Sequence, residues 1–311
     1  MFVSKMSKGD WNIMSKYGID VSRYNGTIDW NKVKADGVQF AILKTVSTNN
    51  SFGGIYIDQQ FERNYAECKR LGIPVGVYYY TYATQESTVR AELAMLKKAL
   101  AGKTFEYPIW IDAEDKSIVR KGKQQLTDML ILAAKEIESW GYYVGYYSYT
   151  SFLKSYVDYK RLKHLDCWIA QYGSNKGVKP WERSTWSEPH GIWQYTSTGK
   201  VNGITGNNGN VDLNESYKDY PSIMKKYGLN GFAKDNNVSV PKEEVIKPVE
   251  KVMKVGARVL YSGNLYGNSF GGLRGKKVSG EYTVTRYIAG RKCGVHLNGL
   301  GWVAEKDCVL I

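Results

Sequence analysis

Eight short runs of apolar and β-forming residues recur along the first two thirds of the sequence, and they constrain the fold more than any other feature. The early runs alternate with stretches of helical periodicity, a pattern typical of a parallel barrel. The predicted strands are Tyr17–Val21, Phe40–Val46, Pro74–Tyr82, Tyr107–Asp112, Tyr142–Tyr149, Cys167–Tyr172, Gly191–Tyr195 and Val211–Leu213.

Helices are predicted between the early strands, at Ile57–Leu71, Gln85–Ala101 and Leu126–Trp140. Gly72 and Gly141 follow the first and third of these, where a glycine commonly ends a helix. After residue 165 the intervals between strands carry turn residues instead of helical patterns. We therefore predict an α/β fold, an irregular eight-stranded β/α barrel with few helices in its last third.

Acidic residues stand at the ends of several predicted strands. Asp112 and Glu114 follow the apolar run that starts at Tyr107, and side chains two apart on a strand share a face, with Cβ atoms roughly 6 to 7 Å apart. Asp20 and Asp212 belong to the first and last strands. In a parallel barrel these ends lie at one mouth, where barrel enzymes place their sites.

This carboxylate pattern suits a glycosidase. An aromatic wall could raise the pKa of one member of a carboxylate pair while the other stays ionised, as a general acid requires. The alternative is that Asp112 and Glu114 form a solvated acidic turn and that Asp20 and Asp212 each cap their own loop. Lys44 and Thr45 end the second strand at the same expected mouth.

Tyrosine and tryptophan are frequent in the predicted strands. Alternate strand positions face opposite sides, so about half of these rings should pack against helices and the others could line the mouth. Aromatic faces and amides suit a carbohydrate, whose C–H faces stack and whose hydroxyls need hydrogen bonds. The candidate substrate-binding residues are Tyr78, Tyr80, Tyr147, Trp168, Gln171, Tyr172, Trp193 and Gln194.

Cysteine and histidine spacing excludes the common metal motifs. The sequence has four widely spaced cysteines without a Cys-x-x-Cys pair and three histidines without ligand spacing. We predict no metal and no cofactor. Buried free thiols are the expected state, although Cys293 and Cys308 could meet across a small barrel.

The two ends of the chain differ from the barrel region. Residues 1–13 are predicted to be a leader or disordered; they contain no apolar segment typical of a signal peptide, and the sequence has no run long enough to cross a membrane. We expect synthesis in the cytoplasm and no membrane insertion.

Residues 231–252 are predicted to be a linker. Residues 253–311 are predicted to be a small all-β unit with strands at Arg258–Tyr261, Tyr282–Ile288, Gly294–Leu297 and Trp302–Ala304.

Positive charge is concentrated in the last part of the chain. From residue 251 to the end, ten Lys and Arg face three Asp and Glu, which gives +7 of the total of +13. Such a small basic unit suggests a polyanionic partner, with nucleic acid and an anionic cell wall as candidates. The alternative is that the charge only maintains solubility.

Several segments together resemble glycoside hydrolase family 25, the lysozymes of phages and bacteria that cleave the β-1,4 bond between N-acetylmuramic acid and N-acetylglucosamine. The resemblance covers about residues 14–229, and we predict that residues 14–230 form the catalytic domain. It rests on Gly18–Ser22, Pro108–Glu114, Trp168–Tyr172, Trp193–Gly199 and Gly209–Asn214.

The resemblance implies roles for the acids. Glu114 would be the acid/base, and Asp112 its partner carboxylate, which in a substrate-assisted route with retention would steer the N-acetyl group of the substrate. Asp20 and Asp212 would complete the acidic cluster. Two features depart from the family pattern: Tyr79 stands where many members have histidine, and the loop before Val211 is longer.

The C-terminal unit resembles bacterial SH3-like wall-binding domains, which often end as Gly301-Trp302-Val303 does here. The build is similar to that of a phage endolysin, which reaches the wall through a holin-type pore made by another protein. We predict peptidoglycan and anionic wall polymers as partners, no nucleic acid, and an oligomer that could form through this unit. A non-catalytic wall-binding protein on a degenerate barrel is the alternative. A chitinase lacks support because the long acidic signature of those barrels is missing around Asp112.

Overall fold

The structure is a computed structural model that describes residues 15–49, 52, 54–180, 184, 186–235 and 253–310. The chain divides into two units at residue 238, and each is described by itself. The predicted leader, residues 1–13, lies outside the described residues. So does most of the predicted linker, from residue 236 to residue 252.

The first unit is built from ten strands and six α-helices within its described residues. Its strands are β1 (Lys16–Val21), β2 (Phe40–Lys44), β3 (Val46–Asn49), β4 (Gly54–Ile57), β5 (Val75–Tyr80), β6 (Ile109–Asp112), β7 (Val144–Tyr149), β8 (Asp166–Ala170), β9 (Ile192–Gly199) and β10 (Val211–Ser216). Its helices are α1 (Trp30–Ala35), α2 (Phe61–Leu71), α3 (Glu86–Leu100), α4 (Lys123–Ser139), α5 (Thr150–Tyr156) and α6 (Tyr220–Tyr227).

Eight of these strands form a closed barrel in the order β1, β10, β9, β8, β7, β6, β5, β2. The predicted eight-stranded barrel and the scarcity of long helices in its last third are thereby confirmed. Strands β3 and β4 form a separate hairpin. The hairpin ends at Ile57, where the first predicted helix was expected to begin, so that helix (α2) begins at Phe61 instead.

The prediction of a wholly parallel barrel was wrong for the last strand. Strand β10 runs antiparallel to both β9 and β1, whereas the other neighbouring strands are parallel. The connection from Gly199 to Val211 is too short for the helical crossover that a parallel strand requires. Because β10 is reversed, its beginning lies where the other strands end, and Asp212 pairs in register with Asp20.

Side chains divide between the two faces of the barrel wall. One buried cluster fills the barrel and includes Trp110, Trp168 and Tyr147. Another packs the outer face of the strands against the helices. The bulk of Trp110 requires a glycine on the neighbouring strand β7, since a Cβ atom at Gly145 would lie 2.3 Å from the Trp110 ring.

A buried ion pair closes the amino end of the barrel. Lys218 Nζ lies 2.7 Å from Asp166 Oδ2, and the two side chains are 1% and 3% exposed. The same carboxylate oxygen accepts hydrogen bonds from the hydroxyls of Tyr220, at 2.7 Å, and Tyr143, at 3.1 Å. This end of the barrel is therefore held by a charged group with several partners.

Other helix predictions agree with the structure to within a few residues. Helices α3 and α4 span Glu86–Leu100 and Lys123–Ser139, while the short helices α1, α5 and α6 were not predicted. None of the described helices combines the length and the apolarity needed to span a membrane.

The second unit contains only strands and a single short 3₁₀ turn among its described residues. The strands are β11 (Arg258–Tyr266), β12 (Arg274–Tyr287), β13 (Val295–Leu297), β14 (Gly301–Val303) and β15 (Cys308–Leu310). The long β12 pairs with both β11 and β13, and β14 pairs with β11, which closes a small antiparallel barrel. The predicted small all-β fold is confirmed, and all four cysteines of the chain are free.

Candidate active site

A cavity of about 430 Å³ opens at the mouth of the barrel. All four predicted carboxylates line it. Asp20 comes from β1, Asp112 ends β6, Glu114 follows two residues later, and Asp212 lies at the start of β10. We call this the four-acid cavity. The fold thus gathers acids that are far apart in the sequence around one hollow.

Amide and hydroxyl groups hold Asp20 in place. Its Oδ2 accepts hydrogen bonds from Gln194 Nε2 and from Asn214 Nδ2, each at 2.8 Å. Gln194 Oε1 in turn accepts from the hydroxyls of Tyr147, at 2.7 Å, and Tyr172, at 2.5 Å. These bonds stabilise the ionised form of Asp20 and fix two tyrosine rings of the cavity wall.

Burial dominates the electrostatics of Glu114 and Asp20. It raises the pKa of Glu114 to about 7, with the negative charge of Asp20 adding to the effect and Lys44 opposing it. Burial also raises the pKa of Asp20 to about 6, although the hydrogen bonds from Asn214 and Gln194 counteract it. A carboxyl group with a pKa near 7 can hold a proton at neutral pH and donate it.

The other two carboxyls are also hard to ionise. Burial, reinforced by the charge of Glu114, raises the pKa of Asp112 well above its usual range. Burial and the charge of Asp20 do the same for Asp212. Within the part of the chain that the structure describes, Asp112 Oδ1 is buried without a hydrogen-bond partner. Glu114, with its pKa of about 7, can therefore keep a proton near neutrality, and Asp112 and Asp212 are harder to ionise than free carboxyl groups.

Lys44 is the only basic side chain among the described residues that line the four-acid cavity. Its Nζ lies 4.8 Å from the ring centroid of Tyr80 and 5.7 Å from that of Tyr78. Its positive charge lowers the pKa values of Asp20, Asp112 and Glu114. The sequence placed Lys44 at a strand end, but the pattern alone gave it no role.

Six of the predicted substrate-binding residues line the four-acid cavity: Tyr78, Tyr80, Tyr147, Trp168, Tyr172 and Gln194. Trp168 donates from Nε1 to Asn214 Oδ1 at 2.8 Å. Sequence analysis missed Ser22, Tyr24, Asn25 and Asn207, which also line it. They lie in the loops after β1 and before β10, where no periodic pattern marks the direction of a side chain.

The assignment of Trp193 to the cavity was wrong. Trp193 is 1% exposed and packs in the cluster on the outer face of the barrel, and its Nε1 donates to the carbonyl oxygen of Gln171 at 2.9 Å. The adjacent Gln194 faces inward, so alternation along β9 turns Trp193 outward. Gln171 lies in a depression beside the four-acid cavity, and its Oε1 accepts from Ser184 at 2.9 Å.

The described residues contain no group of three or more His, Cys, Asp or Glu side chains arranged to hold a metal ion. The acids of the cavity are instead surrounded by amides, tyrosine hydroxyls and Lys44. The absence of a metal and of a cofactor from the reaction stays a prediction.

Comparison with known proteins supplies a family. The model described as glycosyl hydrolases family 25 matches residues 19–204, a range that contains Asp20, Asp112 and Glu114. The chain is 27% identical over 198 residues to the autolytic lysozyme of Clostridium acetobutylicum, covering 64% of this chain and 55% of that protein. It is 24% identical over 218 residues to lysozyme M1 of Streptomyces globisporus, covering 64% of this chain and 66% of that protein.

Solved structures give the same relationship. The modular autolysin LytC of Streptococcus pneumoniae is 29% identical, with a TM-score of 0.55 over 65% of this chain and 47% of that one. The chain therefore spans only about half to two thirds of the length of these relatives. The residues matched by the family model, 19–204, lie within the first unit.

Proposed function

This chain belongs to glycosyl hydrolases family 25, and on that premise we propose that it is a lysozyme that hydrolyses the glycan strands of bacterial peptidoglycan. The bond cleaved is the β-1,4 bond between N-acetylmuramic acid and N-acetylglucosamine. One observation carries the proposal: Glu114, a largely buried carboxyl with a pKa of about 7, shares a sugar-sized cavity with three other acids and several aromatic rings.

In the proposed reaction, Glu114 donates its proton to the oxygen that links the two sugars and later takes a proton from the attacking water. Asp112 lies on the same strand end and faces the same cavity. We propose that it steers the N-acetyl group of the substrate toward the anomeric carbon. Asp20 and Asp212 add carboxyl groups beside Glu114, and the charge of Asp20 helps to keep Glu114 protonated. The rings of Trp168 and Tyr147 contact the sugar.

Product analysis tests the bond assignment. Purified peptidoglycan treated with the protein should release soluble fragments whose reducing ends are N-acetylmuramic acid, as identified by mass spectrometry after borohydride reduction. Fragments ending in N-acetylglucosamine would move the cleavage to the other glycosidic bond. If the protein hydrolysed chitin faster than peptidoglycan, chitin would be the better candidate substrate. Binding to walls without release of any fragments would favour a non-catalytic role.

Lys44→Met should shift the alkaline limb of the pH–activity profile to higher pH by roughly one unit. Glu114 must be protonated to act as the acid, so activity falls as pH rises through its pKa of about 7. Loss of the Lys44 charge raises that pKa further, and the fall occurs at higher pH. The measurement is kcat on soluble glycan strands as a function of pH. Lys34→Met, at an exposed position on α1, is the control and should not change the profile. If activity of Lys44→Met falls at the same pH as that of the unchanged chain, or at a lower pH, the role given to Lys44 is wrong.

We propose that the C-terminal unit holds the enzyme on anionic wall polymers. Residues 253–310 contain nine Lys and Arg and three Asp and Glu, a balance of +6, and all nine basic side chains are exposed. Lys276 and Lys277 lie together on β12. Such a surface attracts polyanions at long range. Release through a pore made by another protein, and assembly through this unit, stay predictions.

Reversal of two of these charges should weaken wall binding. The double change Lys276→Glu and Lys277→Glu is expected to lower the fraction of protein that sediments with purified Gram-positive walls. Binding of the unchanged chain should also fall at about 1 M salt, where the Debye length is about 3 Å. Lys98→Glu with Lys135→Glu, on α3 and α4, changes the net charge equally and should leave binding unchanged. Equal loss in both double variants would show that only total charge matters.

A further inference from the structure

A second cavity adjoins the four-acid cavity. It has a volume of about 330 Å³ and lies over the carboxyl ends of β7 and β8. Its lining residues are Glu114, Tyr147, Tyr149, Thr150, Ala170, Gln171 and Tyr172. Glu114, Tyr147 and Tyr172 line both cavities, so the two hollows meet at the carboxyl group that we place as the acid.

The chemistry of the two cavities differs. Asp20, Asp112, Asp212 and Lys44 line the four-acid cavity and not the second one. Within the second cavity, Glu114 is the only acidic side chain among the described lining residues, and no Lys or Arg is present there. The remaining polar groups are hydroxyls and one amide. This composition suits an uncharged ligand that carries hydroxyl groups.

Tyr149 and Thr150 are the side chains best placed to meet such a ligand. Both are partly exposed, and neither hydroxyl makes a hydrogen bond to the residues that the structure describes. The Tyr149 ring is held edge-on by Phe152, with ring centroids 5.5 Å apart. A fixed ring and two available hydroxyls can both stack on and hydrogen-bond to a sugar.

The position of the acid decides which sugar occupies which cavity. A general acid must reach the bridging oxygen within hydrogen-bond distance, so the two linked sugars lie on either side of Glu114. The sugar with the reacting anomeric carbon must also lie beside the partner carboxylate Asp112, which lines only the four-acid cavity. The second cavity is left for the sugar that departs.

We propose that the second cavity binds the leaving-group sugar, an uncharged N-acetylhexosamine, through Tyr149 and Thr150. This inference rests on the proposed hydrolysis. It adds two residues that would make the enzyme require a sugar, and not merely any leaving group, on the far side of the bond that is cleaved. With the bond assigned above, that sugar is N-acetylglucosamine. The two residues bind the leaving sugar and take no part in proton transfer.

Two substrates with the same donor sugar and different leaving groups test the proposal. One is a peptidoglycan oligosaccharide, and the other is the β-glycosyl fluoride of its N-acetylmuramyl donor, in which a fluoride ion replaces the leaving sugar and leaves the second cavity empty. Tyr149→Ala should lower kcat/KM for the oligosaccharide by about tenfold or more. It should have little effect on release of fluoride.

Matched variants separate this role from a structural one. Thr150→Val removes a single hydroxyl and should show the same selective loss to a smaller extent, even if Tyr149→Ala folds poorly. Tyr156→Ala, on the same helix α5 but outside both cavities, should leave both rates unchanged. If Tyr149→Ala and Thr150→Val lower the two rates equally, or lower neither, the second cavity is not the leaving-group site. An unchanged chain that cleaves neither substrate would overturn the proposed hydrolysis itself.

Discussion

Glu114→Gln is expected to lower kcat for peptidoglycan hydrolysis by about 10²- to 10⁴-fold, the range for loss of a general acid. The amide has nearly the same shape as the carboxyl group but cannot give a proton to the bridging oxygen. Release of reducing ends from purified walls measures the effect. Glu62→Gln is the control, because Glu62 is an exposed glutamate paired with Lys103 at 3.0 Å, and the variant should keep full activity.

The same variant should be more stable than the unchanged chain at alkaline pH. The pKa of Glu114 is raised from 4.5 to about 7 in the folded state, so the folded state binds its proton more tightly than the unfolded state does. As pH rises from about 4.5 to about 7, ionisation of Glu114 therefore lowers the free energy of unfolding. The loss reaches roughly 3 kcal/mol when the carboxylate is fully ionised. Glutamine carries no charge and avoids that cost.

Urea unfolding at two pH values therefore provides an internal check on Glu114→Gln. The free energy of unfolding should exceed that of the unchanged chain at about pH 8, and the two should agree at about pH 4, where Glu114 is protonated in both states. A variant that is stable and still active would remove Glu114 from the mechanism. A variant that is inactive but less stable at alkaline pH would show that burial does not control this carboxyl group.

Lys218→Met is expected to reduce the free energy of unfolding by about 3 to 5 kcal/mol, the usual result of removing one partner from a buried ion pair. Asp166 would remain buried at the amino end of the barrel without its positive partner, and the hydroxyls of Tyr143 and Tyr220 cannot neutralise its charge. Urea unfolding of the barrel measures the loss.

Lys179→Met is the matched control for this prediction. Lys179 pairs with Glu215 at 2.6 Å, but its side chain is 48% exposed, and exposed pairs contribute about 1 kcal/mol or less. The two variants lose the same charge and gain the same side chain. Similar losses of stability in both would mean that burial of the Lys218 pair has no special effect on this fold.

Much of the architecture could be predicted because it follows from local sequence patterns. The three long helices repeat their apolar residues with the helical period, and the eight barrel strands are short runs of apolar and β-forming residues. The position of the acids could be predicted for a related reason. The carboxyl ends of parallel strands all lie at the same mouth of a barrel. Asp20, Asp112 and Glu114 reach the four-acid cavity in this way.

Other features depend on contacts between distant segments and could not be predicted from the pattern. The direction of β10 follows from a short connection after β9, and the register with β1 places Asp212 opposite Asp20. The start of α2 depends on the pairing of β3 with β4.

The sequence by itself determined the eight barrel strands, the three long helices and which residues in each share a face, since these follow from the local pattern of side chains along a strand or a helix. Only the tertiary structure decided which face is inside, and so it placed Gln194 in the cavity and Trp193 outside it. It also decided the proton affinity of Glu114, because burial and the neighbouring Asp20 come from strands that meet only when the barrel closes.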